Sequence, residues 1–347
     1  MFLSKLESIS NAQKLIDDNQ RLTEVEEIPL FEAHKRVLAE DIMAFHDSPP
    51  FDKSAMDGFA VIGENTFGAS QSAPKELKII DAIGAGDFSD KTVGENEAIV
   101  IATGAPIPDG ANAVIMKEYT TTDGDDLTIY SQVTPGENVS PKSEDIEKGQ
   151  KILDKNTFIR YQELGLIASA GYDTVRVFKK PKVKIIITGN ELVEPTKEEI
   201  DKAKIINSNQ FTIKALVEDS GAIAEIAHAG DTFDEVKDAV LEASRDYDVI
   251  MTTGGTAISK GDVVLDVVDD LGEILFHGVA IRPGKPAGAG VVNGKMVFTF
   301  SGQPVAAMSQ FDMFARKYLF EMQGRSFDFH IVKRESQLKI PSQLGRT

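Results

Sequence analysis

From Pro181 onward the chain alternates short apolar runs with helical patterns, and this alternation narrows the fold more than any other feature. VKIIITG (183–189) is nearly all apolar, as expected of a strand covered on both faces. SNQFTIKALVEDSG (208–221) reads as a helix, with Ser208 or Asn209 as N-cap and Gly221 just past its end. AIAEIAHAG (222–230) is a strand, and DTFDEVKDAVLEASRDY (231–247) opens a helix with Thr232 and Glu235 at capping-box spacing. DVIMTTGG (248–255), ILFHGVAI (274–281) and KMVFTFSG (295–302) are further strands. DVVLDVVDDLG (262–272) and PVAAMSQFDMFARKYLF (304–320) are the remaining helices. Alternation of this kind predicts an α/β domain built on a mostly parallel, doubly wound sheet. Ligands of such sheets sit outside the carboxyl ends of the strands.

The preceding half has a different texture. LFEAHKRVLAEDI (30–42) places Leu30, Ala33, Val37 and Leu38 on one helical face, so residues 1–45 are expected to be helical. SPPF (48–51) stops any helix. From about 54 to 140 short strand patterns such as DGFAVIG and EAIVIATG are punctuated by glycine and by Pro108-Asp109-Gly110, which predicts a small β domain. TFIRYQELGLIASAGY (157–172) returns to a helical pattern. The expected division is a helical domain at 1–48 and 141–178, an inserted β domain at 49–140 and the α/β domain at 179–326.

With 37 basic and 55 acidic residues the formal net charge is −18, a field that repels nucleic acid and anionic membrane surfaces. The chain has no cysteine, so disulfides, thiolate catalysis and Cys-based zinc sites are excluded. The N-terminus lacks a continuous apolar core of the signal-peptide kind and no run approaches membrane-spanning length, so a cytoplasmic location is expected. The five histidines are isolated and read as structural.

Three predicted strand ends carry suggestive loops. ITGNEL (187–192) places Glu191 past the sheet edge, TTGGTAISKGD (252–262) offers bare backbone and Asp262, and IRPGKP (281–286) sets Arg282 and Lys285 on a Pro-Gly turn. Glycine amides, a helix N-terminus and two cations suit an oxyanion. Two carboxylates beside them suit Mg²⁺, which takes one or two carboxylates plus substrate phosphate oxygens. Each loop alone has a plain reading: the glycines as a turn, Asp262 as an N-cap, the cations as a solvated pair. The loop lacks Walker A spacing, and the glycines near 284–290 are followed by no clear helix.

Six ordered motifs then resemble the molybdopterin molybdenumtransferase family (MoeA and the gephyrin E-domain). PPFDKSAMDGFAV (49–61) resembles PxFDxSAMDGYA, ATGAPIPDGANAV (102–114) resembles ATGAxxPxGADAV, and SEDIEKG (143–149) resembles GEDxxxG. ITGNEL resembles TGDEL, TTGGTAISKGD resembles TGGVSxGxxD, and IRPGKP resembles xKPGKP. The resemblance implies a transferase of molybdenum cofactor biosynthesis that joins molybdate to adenylylated molybdopterin with Mg²⁺ and releases AMP. It implies catalytic roles for Asp57, Thr103, Asp145, Glu191 and Asp262, with Glu191 and Asp262 holding Mg²⁺. It assigns Gly189, Thr253, Gly254, Gly255, Thr256 and Ser259 to substrate binding. Arg282, Pro283, Lys285, Pro286, Ser301, Gly302 and Pro304 join them. It further implies a homodimer, and a molybdopterin adenylyltransferase is a candidate partner.

The chain departs from the family pattern at Ser143, Asn190, Ala257 and Gln303, where the family has glycine, aspartate, serine and asparagine. These departures leave molybdate and tungstate both open as the oxyanion. IPSQLGRT (340–347) resembles the opening of the family's C-terminal β domain, so 327–347 is expected to be a truncated start of it. An adenylyltransferase on the same α/β domain would not need the inserted β domain or the MDGFA motif. A non-catalytic scaffold would not need the acidic and basic residues named above.

Overall fold

The computed structural model describes residues 6–254 and 263–327. The chain divides into two compact units, one formed by Met1–Glu26, Lys35–Ala39 and Val177–Thr347, the other by Glu27–His34 and Glu40–Arg176. No helix among the described residues is long and apolar enough to cross a membrane.

Among the described part of the first 45 residues the α-helix is α1 (Ile9–Asp17), capped by the Ser8 hydroxyl, which accepts from the Asn11 N–H. The helix expected over 30–42 does not form. Leu30–Glu32 make a single 3₁₀ turn, and Lys35 lies in the left-handed region at φ 63°, which an α-helix cannot contain. Ala33, Val37 and Leu38 are nevertheless buried, from irregular backbone. The apolar spacing marked burial correctly and the conformation incorrectly.

In the second unit, strands β1 (Gly58–Val61), β2 (Lys75–Ile83), β3 (Glu97–Ile101), β4 (Ala113–Met116), β5 (Thr120–Asp123) and β6 (Asp126–Ile129) form one sheet in the order β4-β1-β3-β2-β6-β5. Only the β2–β3 pairing is parallel. Alternate residues of β1 enter different cores: Phe59 and Val61 pack with Leu77, Ile115 and Leu127, whereas Ala60 packs with Ile99, Ile101 and Val114. Gly58 opens β1 directly after Asp57. A Cβ on Gly58 would lie 2.0 Å from the Ile115 carbonyl oxygen, so this close strand approach requires glycine. Helix α2 (Tyr161–Ser169) falls on the predicted helical run, its start fixed by Arg160 and Glu163.

The first unit has the expected alternation. It comprises β7 (Lys182–Thr188), α3 (Asn209–Asp219), β8 (Ile223–Ala229), α4 (Phe233–Asp246), β9 (Val249–Thr253), α5 (Val263–Leu271), β10 (Gly272–His277), β11 (Gly288–Val292), β12 (Lys295–Phe300), α6 (Pro304–Gln310) and α7 (Arg316–Met322). The strand order is β8-β7-β9-β12-β11-β10, with β8, β7, β9 and β12 parallel and β11 antiparallel to both β12 and the edge strand β10. β7 shows why the run is apolar on both sides. Ile185 and Ile187 pack with residues of α1, α3 and α7, while Ile186 packs against Val236 and Val240 of α4 and Val264 of α5. The sheet is thus the middle of three layers.

Candidate active site

Parallel register brings three strand ends into one row. Ile187 of β7 pairs with Thr253 of β9, and Thr253 pairs with Phe300 of β12. The loops after these strands therefore leave the sheet side by side. Thr188, Glu191, Thr253, Gly254, Gly302 and Pro304 line one cavity of about 230 Å³, together with Asn207 and Asn209 at the start of α3.

Gly254 adopts φ 98°, and a Cβ there would lie 2.2 Å from the Thr188 carbonyl oxygen. No other residue lets the β9 loop pass so close to the end of β7. Asn209 ties the end of β9 to the loop after β12: its Nδ2 donates to Thr253 Oγ1 at 2.8 Å and to the Gly302 carbonyl at 2.9 Å. Because the Gly302 carbonyl can only accept, the amide orientation is fixed and Oδ1 is left as an acceptor. That Oδ1, Asn207 Nδ2 and Thr188 Oγ1 are buried without hydrogen-bond partners. Asn207 Oδ1 meanwhile accepts from the Gln210 N–H at 3.3 Å, which makes its Nδ2 the orphan. A donor, an acceptor and a hydroxyl left unpaired in residues lining one cavity match a polar but uncharged ligand group.

Gly189 and Glu191 belong to the same loop, and the Glu191 carboxylate lies 2.9 Å from where a Cβ on Gly189 would sit. Asn190 takes the place of the family's aspartate. Its N–H donates to Asp231 Oδ2 at 2.9 Å and its carbonyl accepts from Lys204 Nζ at 2.7 Å. Ser301 accepts from Thr253 Oγ1 through its carbonyl and donates its N–H to Gln310 Oε1 at 2.7 Å. Gln303, the other departure on this rim, caps α6, its Oε1 accepting from the Ala306 N–H at 3.1 Å.

Arg282 and Lys285 are exposed on a turn that includes a cis Arg282–Pro283 bond. The turn is closed by Val279 N–H donating to the Lys285 carbonyl at 2.9 Å and by Gln310 Nε2 donating to the Gly284 carbonyl at 2.8 Å. These two cations and Pro283 and Pro286 are not among the lining residues of the cavity. Gly255, Thr256, Ala257, Ser259 and Asp262 lie outside the described residues.

The β unit holds the other predicted residues. Asp57 Oδ1 accepts from the Thr103 N–H at 2.8 Å and from the Thr103 hydroxyl at 2.7 Å, and Lys117 Nζ stands 3.6 Å from Oδ2. The Thr103 N–H, then its hydroxyl, then Lys117 hold the Asp57 carboxyl below the usual carboxylate range, so it is ionised at neutral pH. Asp145 is exposed, with its N–H donating to the Ser48 carbonyl at 2.9 Å. No hydrogen bond joins it to the Asp57–Thr103 pair among the described residues.

Sequence reading missed Thr188, Asn207, Asn209 and Asp231. Asp231 follows β8, a parallel strand ending at the same edge, and that position was the signal available for it.

A three-layer α/β unit with a polar cavity at the carboxyl ends of its parallel strands defines a small-ligand-binding class. Residues 184–321 match the probable molybdopterin binding domain, and residues 7–171 match the MoeA N-terminal region (domain I and II). A Methanocaldococcus jannaschii protein named for molybdopterin biosynthesis is 38% identical over 360 residues, covering 99% of this chain and 86% of that one. The molybdopterin molybdenumtransferase of Staphylococcus aureus is 38% identical over 299 residues, 86% of this chain and 71% of its own length. A crystal structure of a molybdopterin biosynthesis MoeA protein from Pyrococcus horikoshii superposes with a TM-score of 0.81 at 36% identity, over 93% of this chain and 80% of that one. The chain belongs to the MoeA family.

Proposed function

We propose that this chain is a molybdopterin molybdenumtransferase, which takes adenylylated molybdopterin and molybdate or tungstate and releases AMP with the metal-loaded cofactor. The observation that carries the proposal is the cavity where three parallel strands end, with Thr188, Asn207 and Asn209 holding unpaired buried polar atoms beside Glu191. A pterin ring edge presents donors and acceptors without net charge, the complement those atoms lack. Amides of the Gly254–Thr256 stretch are assigned to phosphate, and Arg282 and Lys285 to the oxyanion.

Glu191 suits Mg²⁺. It is the one carboxylate among the described lining residues, is exposed, and makes no ion pair among them. Mg²⁺ is commonly held by one or two carboxylates, waters and substrate phosphate oxygens. When bound it would neutralise charge on the diphosphate whose bond to AMP breaks. Asp262 is its proposed second ligand. Asp57, kept ionised by Thr103, and Asp145 are assigned to the same reaction. The homodimer, the adenylyltransferase as substrate donor, the cytoplasmic location and the finer domain division at 1–48 with 141–178, 49–140 and 179–326 belong to the same reading.

Release of AMP from adenylylated molybdopterin plus molybdate tests it. Glu191→Gln is expected to lower that rate on the order of 100-fold, with the melting temperature unchanged because Glu191 is exposed. Wild-type turnover in that variant, or no AMP release by the unaltered chain, would reject the proposal.

A further inference from the structure

The opposite end of the same sheet carries a second hollow, of about 400 Å³, where β7, β9 and β12 begin. Its lining holds six cations and three carboxylates, a local excess of three positive charges in a chain whose formal charge is −18. Two of the carboxylates are already engaged. Glu24 pairs with Lys179 at 2.7 Å, while Asp248 pairs with Lys295 at 3.7 Å and accepts the Lys182 N–H at 2.9 Å. Arg21, Lys180, Lys182 and Arg245 make no side-chain ion pair among the described residues, with Asp246 the one carboxylate left among them.

The hollow is a formed concavity, because its walls are tied through the backbone. Thr23 N–H donates to the Met322 carbonyl at 2.8 Å, and Thr23 Oγ1 to the Lys179 carbonyl at 2.7 Å. Its lining includes Tyr318, whose hydroxyl burial pushes up to about 12, so it stays neutral in the physiological range. Arg21 lies against Gly294, its guanidinium 3.0 Å from where a Cβ on that glycine would sit. Helix dipoles explain Arg245 at the last turn of α4, but not Arg21, Lys180 and Lys182, which reach the hollow from other segments.

We infer that this hollow is a second binding site, for a small molecule bearing two or more adjacent anionic groups of the diphosphate or polycarboxylate kind. Two guanidinium forks in the lining of one concave surface favour adjacent oxyanions over a single one, because each fork takes two oxygens. A separate positive focus on an acidic molecule also draws such ligands to this end of the sheet. The inference stands independently of the proposed transferase chemistry, since no residue of the hollow belongs to the carboxyl-end cavity.

The test is calorimetric titration of the full chain with pyrophosphate and, separately, with citrate. It is carried out on the unaltered protein, on Arg21→Ala/Arg245→Ala, and on Arg282→Ala/Lys285→Ala to silence the oxyanion turn. A binding event that survives in the last variant and weakens on the order of 100-fold in the first is expected. Binding of pyrophosphate alone marks a phosphate ligand, and binding of both marks recognition of adjacent charge. Both arginines are exposed, so their loss leaves the melting temperature and AMP release unchanged. Equal titration of the Arg21→Ala/Arg245→Ala variant and the unaltered chain, or no heat from either probe in the Arg282→Ala/Lys285→Ala variant, would overturn the inference.

Discussion

The two ends of the central sheet solve the problem of holding a ligand in opposite ways. At the carboxyl end the walls are glycine backbone and buried amide or hydroxyl groups, several with no partner, and the one described carboxylate lies on an exposed residue. At the amino end the walls are charged side chains that are largely exposed. Buried unpaired groups have already lost water, so a matching ligand recovers full hydrogen bonds and a mismatched one recovers little. Exposed charges act through a screened field and discriminate by charge more than by shape. The first end is therefore built for specificity and is costly to alter. The second tolerates substitution.

The sharpest way to break this contrast is at Gly254. Gly254→Ala must place a methyl 2.2 Å from a backbone oxygen in a conformation at φ 98°, and neither element can give way cheaply. A loss of about 3 kcal/mol in denaturant-unfolding stability is expected. A loss below about 1 kcal/mol would mean that the β9 loop is not held against β7, and the carboxyl end would lose its claim to rigidity.

Asn209→Ala comes next. It takes the donors from Thr253 Oγ1 and the Gly302 carbonyl, so roughly 1–3 kcal/mol of stability should go with them. If Oδ1 also contacts the substrate, KM for adenylylated molybdopterin rises on the order of tenfold while kcat changes less. Arg245→Ala at the other end should stay within about 0.5 kcal/mol. Equal stability losses at the two positions would erase the distinction between the ends.

The fold was legible where periodicity and tertiary burial agree. The β7 run and the Thr232–Glu235 capping box read directly as strand and helix. They parted at 30–42, where Ala33, Val37 and Leu38 are buried as a helix would bury them, yet Lys35 turns the backbone left-handed. The loops after β7 and β9 could be found because glycine and a following carboxylate are local signals, whereas the third loop read that way, 281–286, does not line the cavity and the residues after β12 entered only through the family resemblance. Asn207 and Asn209 could not be separated from ordinary capping residues, because their importance lies in what they fail to pair with across the fold. The amino-end cations were invisible for the same reason: Arg21, Lys180, Arg245 and Lys295 are dispersed in sequence, and the chain's overall charge hides them.

Gln303 offers the smallest and most discriminating change. It stands on the specific rim where the family has asparagine, but its Oε1 is occupied in capping the Ala306 N–H, with Pro304 at the first helical position. Asparagine is among the strongest N-caps, and its shorter side chain loses less rotamer freedom on capping. Gln303→Asn should therefore shift stability by less than about 0.5 kcal/mol and leave the rate of AMP release unaltered. If that rate changed tenfold at constant stability, the glutamine amide would be contacting the substrate. A residue with a satisfied acceptor would then be contributing to specificity, and the rule that the carboxyl end recognises its ligand through unpaired buried atoms would need to be widened.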